Sequence, residues 1–177
     1  YARKNKIPYL GLCYGMQLAV VAFARDVLGL PDANTTENAP KTKNPVIHLM
    51  PSQKEFMDKR AYGGTMRLGA WEAMVKKGTQ AYEIYKKYGG LLRENGLTSE
   101  RHRHRYEFNS DYEKAFEKNG LVISAKSVVE GLVEIVELPQ KDHPFYMGTQ
   151  GHPEYKSRPL HPHPIFSAFL AASAKKK

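Results

Sequence analysis

The sequence predicts an α/β domain with a mainly parallel central sheet and flanking helices. Three observations carry this reading. Short apolar runs that suit strands buried on both faces alternate with longer segments at helical spacing. The first such unit reads strand, sharp glycine turn, helix, the repeating unit of parallel sheets. No internal repeat or long linker divides the 177 residues, so one domain with its own core is expected.

The elements follow in order. Tyr1-Ala2-Arg3-Lys4 reads as the end of a helix. Residues 7–12 form an apolar run with Pro8 near its start, a buried strand. Residues 15–28 place Met16, Leu18, Ala19, Ala22, Phe23 and Val27 at helical spacing, and Gly29 and Pro31 end the helix. Residues 32–43 are polar and turn-rich, a loop, with a strand at 46–49 and an irregular excursion at 51–64. A strand or hairpin leg is expected at 66–75, a helix at 80–88 and an extended segment at 100–109. Ser110 caps a short helix running to Lys118, closed by Asn119-Gly120. Three strands at 121–125, 132–138 and 145–150 precede a last helix at 164–172.

Composition narrows the function classes. Hydrophobic residues are 41% and charged residues 25%, ordinary for a soluble globular protein. No apolar run approaches the roughly 18 residues that would suggest a membrane span, so no membrane association is expected. The single cysteine, Cys13, excludes an internal disulfide framework and fits a reducing cytoplasm. The net charge of +9 suits phosphate contacts, an acidic partner or a plain basic surface alike. Asn34-Thr35-Thr36 matches a glycosylation sequon, a pattern common by chance.

Gly11-Leu12-Cys13-Tyr14-Gly15 sits where the first strand becomes the first helix. Such a turn pushes its central side chain above the sheet edge, and glycines on either side let strand and helix backbones approach. A thiol there lies at a helix N-terminus, whose dipole and free N–H groups favour thiolate. The N–H of Tyr14 is an oxyanion donor by position. The same five residues equally fit a small buried cysteine. Far downstream, Gln150-Gly151-His152-Pro153-Glu154 follows a strand. Pro153 favours an extended backbone at His152, and residues two apart then share a side, so Glu154 can orient the imidazole.

Gly11-Leu12-Cys13-Tyr14-Gly15-Met16-Gln17 and His152-Pro153-Glu154 resemble the triad segments of class I glutamine amidotransferases, which have a flavodoxin-like fold. Four further segments are similar to the glutaminase domains of the CTP synthase family: Asp32 to Glu37, Gly63 to Gly69, Glu100 to Glu107, and Val133 to Val136. The similarity runs to about Ala172. It implies that Cys13 attacks the side-chain amide of L-glutamine to form a thioester, His152 moves the protons, and Glu154 holds His152. It also implies a glutamine pocket lined by Tyr14, Gly15, Met16 and Gln17, with Glu37 receiving the substrate ammonium and Arg105 its carboxylate. That last pairing has its own physical sense, since arginine grips a carboxylate bidentately. The resemblance further implies a synthetase domain outside this chain that aminates UTP with ATP and Mg, and a homotetramer. No cofactor is expected on the chain itself. The early strands and the glycine loop that completes the oxyanion hole would precede Tyr1. Three positions depart from the family pattern: Gly151 stands for a bulky aromatic, Tyr14 for leucine, and Asn38 for an aromatic.

Other features carry less. Arg101-His102-Arg103-His104-Arg105 alternates, so an extended segment would separate arginines from histidines by face. It lacks the aromatic interleaving of a nucleic-acid module and the ligands of a zinc site, so neither nucleic acid nor metal is expected. His161-Pro162-His163 reads as a surface turn, and Trp71 as packing. The glycine-rich segment 63–69 lacks the Gly-Lys-Ser/Thr ending of a phosphate loop. Two other classes remain: a cysteine peptidase or related hydrolase with the same triad, and a basic nucleic-acid-binding module.

Overall fold

A computed structural model describes residues 1–49 and 66–175. The expected excursion at 51–64, and the first three residues of the glycine-rich segment, lie outside the described residues. In chain order the elements are β1 (Tyr9–Leu12), α1 (Tyr14–Asp26), β2 (Asn34–Thr35), β3 (Pro45–Leu49), β4 (Arg67–Val75) and α2 (Gln80–Tyr88). There follow β5 (Leu97–His104), β6 (Tyr106–Phe108), α3 (Glu113–Lys118), β7 (Val122–Ser127), β8 (Val133–Glu137), β9 (Tyr146–Thr149) and α4 (Pro164–Ala174). Nearly all match the periodicity reading to within a residue or two. Tyr1 to Lys6 is instead a run of turns, and the loop at 32–43 contains the two-residue β2.

The main sheet has six strands in the order β1-β9-β8-β7-β4-β5. Its strand sense corrects the expectation of a mainly parallel sheet. Among the described residues only β1 and β9 run parallel in this sheet, and its other neighbouring pairs are antiparallel. The reason lies in the connections. Residues 128–132 and 138–145 are too short to hold the crossover that a parallel neighbour requires, so β7, β8 and β9 fold as a meander. Helices still cover both faces, as an α/β domain demands. One core cluster gathers Met16, Val20, Phe23 and Ala24 of α1 with Phe116 of α3. The other gathers Ala81, Ile84 and Tyr85 of α2 with Ile165 of α4. Successive residues of β9 alternate between them, Tyr146 to the first cluster and Met147 to the second.

A smaller sheet, β2-β3-β6, packs beside α1. Residues 97–108 serve both sheets. They pair with β4 up to His104, bend at Arg105, and continue as β6 against β3. Capping at 110 differs from the expectation: the Asn109 side chain, not Ser110, accepts from the Asp111 N–H, because a 3₁₀ turn at Ser110–Tyr112 precedes α3 and moves the helical start one residue earlier. The Thr79 hydroxyl accepts from the Tyr82 N–H at the start of α2, and Gly89 closes that helix at φ 83°.

Two glycines let α1 lie directly on β1 and β9. A Cβ on Gly11 would stand 2.6 Å from the Gly15 carbonyl carbon, and one on Gly148 would stand 2.9 Å from Cγ of Met16. Neither space exists. Gly15, by contrast, has room, its nearest neighbour being the Tyr9 hydroxyl at 3.8 Å. Gly11→Ala is therefore expected to lower unfolding stability by about 2 kcal/mol or more through overpacking against backbone. Gly15→Ala, inside a helix, should leave stability unchanged or raise it by about 1 kcal/mol. Urea titrations of the two variants check the contrast.

Candidate active site

Cys13 ends β1 and caps α1 with φ 49° and ψ −104°, a backbone that L-residues rarely adopt. Such strain costs on the order of 1–3 kcal/mol and persists only where neighbours impose it. Here they do. The Cys13 N–H donates to the Thr149 carbonyl at 2.7 Å, and its carbonyl accepts from the Gln17 N–H at 3.2 Å. The strand-to-helix turn predicted from the two flanking glycines is thus present.

The thiol is not the thiolate expected from its place at a helix N-terminus. Burial pushes it up to about 11, with the carboxylates of Glu107 and Glu154 adding to the rise. The Tyr14 backbone N–H and the Gln150 side-chain amide oppose that rise and lose. Desolvation of the charged form outweighs two neutral donors.

Cys13 opens into a cavity of about 400 Å³ that is also lined by Tyr14, Gln17, Glu37 and Arg105. Five of the predicted residues therefore share one wall. Tyr106 in the same cavity reports the charges around it: Glu37 raises its hydroxyl pKa and Arg105 lowers it, both after burial. A carboxylate and a guanidinium bordering one small cavity fit the two ends of an amino-acid zwitterion. Gly15 and Met16 are not part of this lining. The Gly15 carbonyl accepts from the Tyr9 hydroxyl at 2.8 Å, and the Met16 side chain is wholly in the core.

The histidine reaches the same end of the sheet through β9. β1 and β9 run parallel with Leu12 opposite Thr149, so Cys13 lies one residue beyond that pair and His152 three beyond it. His152 has φ −113° and ψ 78°, outside the helical region as Pro153 dictates, and its N–H donates to the Arg101 carbonyl at 2.7 Å. Its Nδ1 lies 2.6 Å from Oε1 of Glu154, which fixes the tautomer: Nδ1 carries the proton and Nε2 keeps its lone pair. Nε2 is buried and has no hydrogen-bond partner among the described residues. His152 and Glu154 are not among the residues lining the 400 Å³ cavity. A larger cavity, about 810 Å³, lies between α2 and α4 and contains none of the predicted site residues. Chemistry, not size, selects the smaller one.

The three departures from the family pattern acquire physical reasons. Tyr14 and Asn38 touch each other: the Asn38 amide donates to the Tyr14 hydroxyl at 2.5 Å, tying the loop after β2 to the first turn of α1. One departure partners the other. At Gly151 a Cβ would stand 2.9 Å from Cβ of Glu100, a buried carboxylate held by the Tyr85 hydroxyl and by Nε2 of His163, each at 2.8 Å. Glu100 occupies the space a side chain at 151 would need. His163 is accordingly no surface turn, as the sequence suggested, but buried, and its ring caps α4 by accepting from the Ile165 N–H.

Sequence reasoning missed what lies behind the cavity. The alternation at 101–104 holds, with Arg101 and Arg103 exposed and His102 and His104 buried. The two imidazoles meet, Nδ1 of His102 to Nε2 of His104 at 2.8 Å. Arg67 is buried with them, 2.6 Å from Glu134 and 3.9 Å from Glu107. Burial, then the Arg67 charge, holds His102 down to about 2 and His104 to about 3, so both are neutral. Burial lifts Glu107 well above the carboxylate range and Glu134 to about 6, against the pull of Arg67. Among the described residues no group of three or more His, Cys, Asp or Glu could hold a metal ion.

Comparisons with known proteins bear on the family. The family described as Glutamine amidotransferase class-I matches residues 1–172. The chain is 57% identical to a CTP synthase of Caldanaerobacter subterraneus subsp. tengcongensis over 97% of its own length, and 55% identical to one of Sulfurisphaera tokodaii over 98%. It spans 30% of the length of each of these relatives. Among solved structures it is similar to the Trypanosoma brucei CTPS glutaminase domain with bound acivicin, with TM-score 0.85, 36% identity, and coverage of 99% of this chain and 63% of that one. A putative GMP synthase protein of Thermoplasma acidophilum shares the fold at 17% identity and TM-score 0.54.

With the thiol raised to about 11, nearly all of it is protonated at neutral pH. Alkylation of free protein by iodoacetamide should be slow at pH 7 and climb about tenfold per pH unit through pH 9. A rate already level by pH 8 would show a thiolate the structure does not support.

Proposed function

The chain belongs to the class-I glutamine amidotransferase family, and from that premise we propose that it hydrolyses L-glutamine and hands the ammonia to a synthetase domain that aminates UTP. The observation that carries this reading is the single cavity bordered by a thiol, a carboxylate and a guanidinium: Cys13, Glu37 and Arg105. A peptidase with the same triad would have no use for paired charges that receive a free amino-acid backbone.

The chemistry follows from the groups in place. Glu37 takes the substrate ammonium, and Arg105 takes its carboxylate through paired N–H donors. The side-chain amide then extends towards Cys13. As the sulfur attacks the amide carbon, its proton moves to the lone pair on Nε2 of His152, and the Tyr14 N–H donates to the oxygen that gains charge. Glu154 stabilises the imidazolium at Nδ1 without taking its proton. The imidazolium gives its proton to the leaving nitrogen, so ammonia departs and a glutamyl thioester remains. Water attacks that thioester with His152 as base, the C–S bond breaks, and the returned proton restores the thiol and frees glutamate. A thiol pKa of about 11 fits this order, because the proton leaves during attack and not before it. Of the residues implied by resemblance, Gln17 contributes a side chain to the cavity, and Gly15 and Met16 contribute backbone at most.

The remainder of the reading concerns a longer protein. ATP, Mg and UTP belong to the synthetase domain, and the assembly is a homotetramer in the cytoplasm. Among the described residues no helix is long and apolar enough to cross a membrane.

A glutamine-shaped electrophile, such as a diazoketone analogue, tests the site by mass mapping. Modification should be confined to Cys13 and be suppressed about 30-fold or more by Arg105→Ala, the cost of a lost charge-assisted hydrogen bond. Labelling at the same rate in Arg105→Ala, or labelling of several residues, would overturn the assignment of the cavity to glutamine.

A further inference from the structure

A chain of two buried amides ends on the reacting sulfur, and neither the triad nor the charge pair uses it. Gln17 and Gln150 are both buried, at 2% and 0% exposure. The Gln17 amide nitrogen donates to the Tyr106 carbonyl at 3.0 Å and to Oε1 of Gln150 at 3.2 Å. A main-chain carbonyl can only accept, so the Gln17 nitrogen must face Tyr106. Both acceptors then lie on the nitrogen side of Gln17, which forces Gln150 to present its oxygen to Gln17 and its NH2 elsewhere. That NH2 lies 3.5 Å from Sγ of Cys13. The amide cannot flip without breaking two contacts inside the protein. Its backbone is equally fixed, because the Gln150 N–H donates to the Glu134 carbonyl at 2.8 Å.

We propose that Gln150 is a catalytic residue of this site, its amide N–H donating to the Cys13 sulfur and stabilising the negative charge that forms there as the proton leaves for His152, with Gln17 as the positioning residue that sets the direction of that amide. The inference rests on the reading of Cys13 as the nucleophile. A hydrogen bond from a neutral donor to sulfur is weak while the sulfur is a thiol and strengthens as charge builds on it. A fixed donor therefore acts on the attacking state more than on the resting one, which is the condition for acceleration. The rest of the sulfur's surroundings oppose charge: it is half-buried, and the Glu107 and Glu154 carboxylates both disfavour thiolate. Among the described residues, the Tyr14 N–H and the Gln150 amide are the groups that favour it. If Tyr14 turns to the substrate oxyanion during attack, Gln150 becomes the donor left to the sulfur. The Gln17 oxygen fits the same picture. It is buried and, among the described residues, has no partner, on a side chain that lines the cavity, so a donor on the substrate can bind it without disturbing the two contacts that aim Gln150.

The test replaces the donor by a side chain of similar shape. In Gln150→Met the rate of Cys13 alkylation by iodoacetamide, a small uncharged electrophile, should fall about tenfold at each pH between 7 and 9.5. With glutamine, kcat should fall at least tenfold while KM moves less than threefold. Because Gln150 is two residues from His152, the same substitution is also made in His152→Ala, and the tenfold fall in alkylation should persist there. Loss of the effect in that background would mean that Gln150 acts by placing His152, and would overturn the proposal, as would an alkylation rate within twofold of the parent in a variant whose thermal melt is cooperative. Should Gln150→Met fail to fold, Gln17→Met gives the second measurement. It frees the Gln150 amide to rotate, and a fall of about threefold or more in alkylation is expected, with no change counting against the proposal. Alkylation needs no glutamine. A parent protein that shows the thiol effect but does not turn over glutamine would retain Gln150's role and sink the substrate reading alone.

Discussion

The parallel pairing of β1 with β9 under α1 is the constraint on which the rest depends. It is the parallel contact of the main sheet, and it sets two chain segments, 137 residues apart in sequence at Cys13 and Gln150, side by side at the same strand end. The pairing alone would not suffice. α1 must descend onto both strands closely enough for its first turn to begin at the nucleophile, and Gly11 and Gly148 are the positions that permit it. Strain at Cys13 follows from the same closeness. The chain turns from strand to helix within one residue, and that residue takes the left-handed φ. Fold and chemistry are thus one decision made at two glycines.

Behind the cavity, the molecule tolerates a buried guanidinium only because its partners share protons among themselves. The Tyr106 carbonyl can only accept, so Nδ1 of His104 carries hydrogen towards it at 3.3 Å, and Nε2 of His104 then accepts from Nδ1 of His102. Both rings stay neutral beside Arg67, while the raised pKa of Glu107 and Glu134 lets that group of side chains hold fewer than two full negative charges against one positive charge. Unbalanced charge at this depth would cost several kcal/mol. His104 lines the cavity on one side and this network on the other, so the same strand that carries Arg105 to the substrate end anchors it in the interior.

Much of this was legible in the sequence, for reasons that can be named. Helix α1 announced itself by apolar spacing and by the Gly29 and Pro31 that end it, and β7, β8 and β9 by short apolar runs. The elbow at Cys13 was legible because glycine is needed there for steric reasons that leave a local trace. Strand sense was not, since a buried apolar run looks alike in either direction and only the length of the connections at 128–132 and 138–145 decides it. His163 was misread because a histidine between prolines carries a surface signature, whereas its role depends on Glu100, 63 residues away. The protonation of Cys13 was misread for a related reason: a helix N-terminus is visible in sequence, but the depth of burial that overrides it is not. Gln17 was named by resemblance as a pocket residue, but its hold on Gln150, and the donor role of Gln150, gave no signal, because an amide becomes functional here only through partners brought together by folding.

Glu100 pressed against Gly151 has a consequence for how such a sequence can change. A side chain at 151 has no room whatever rotamer Glu100 takes, because the close contact is with Cβ of Glu100, which the β5 backbone places. A larger residue at 151 therefore asks for a wider gap between the histidine loop and β5, not for a smaller residue at 100. That gap is spanned by the bond from the His152 N–H to the Arg101 carbonyl. Side-chain size at 151 is thus coupled through the main chain to the seat of the imidazole, and relatives that differ at 151 should differ in the spacing of these two segments.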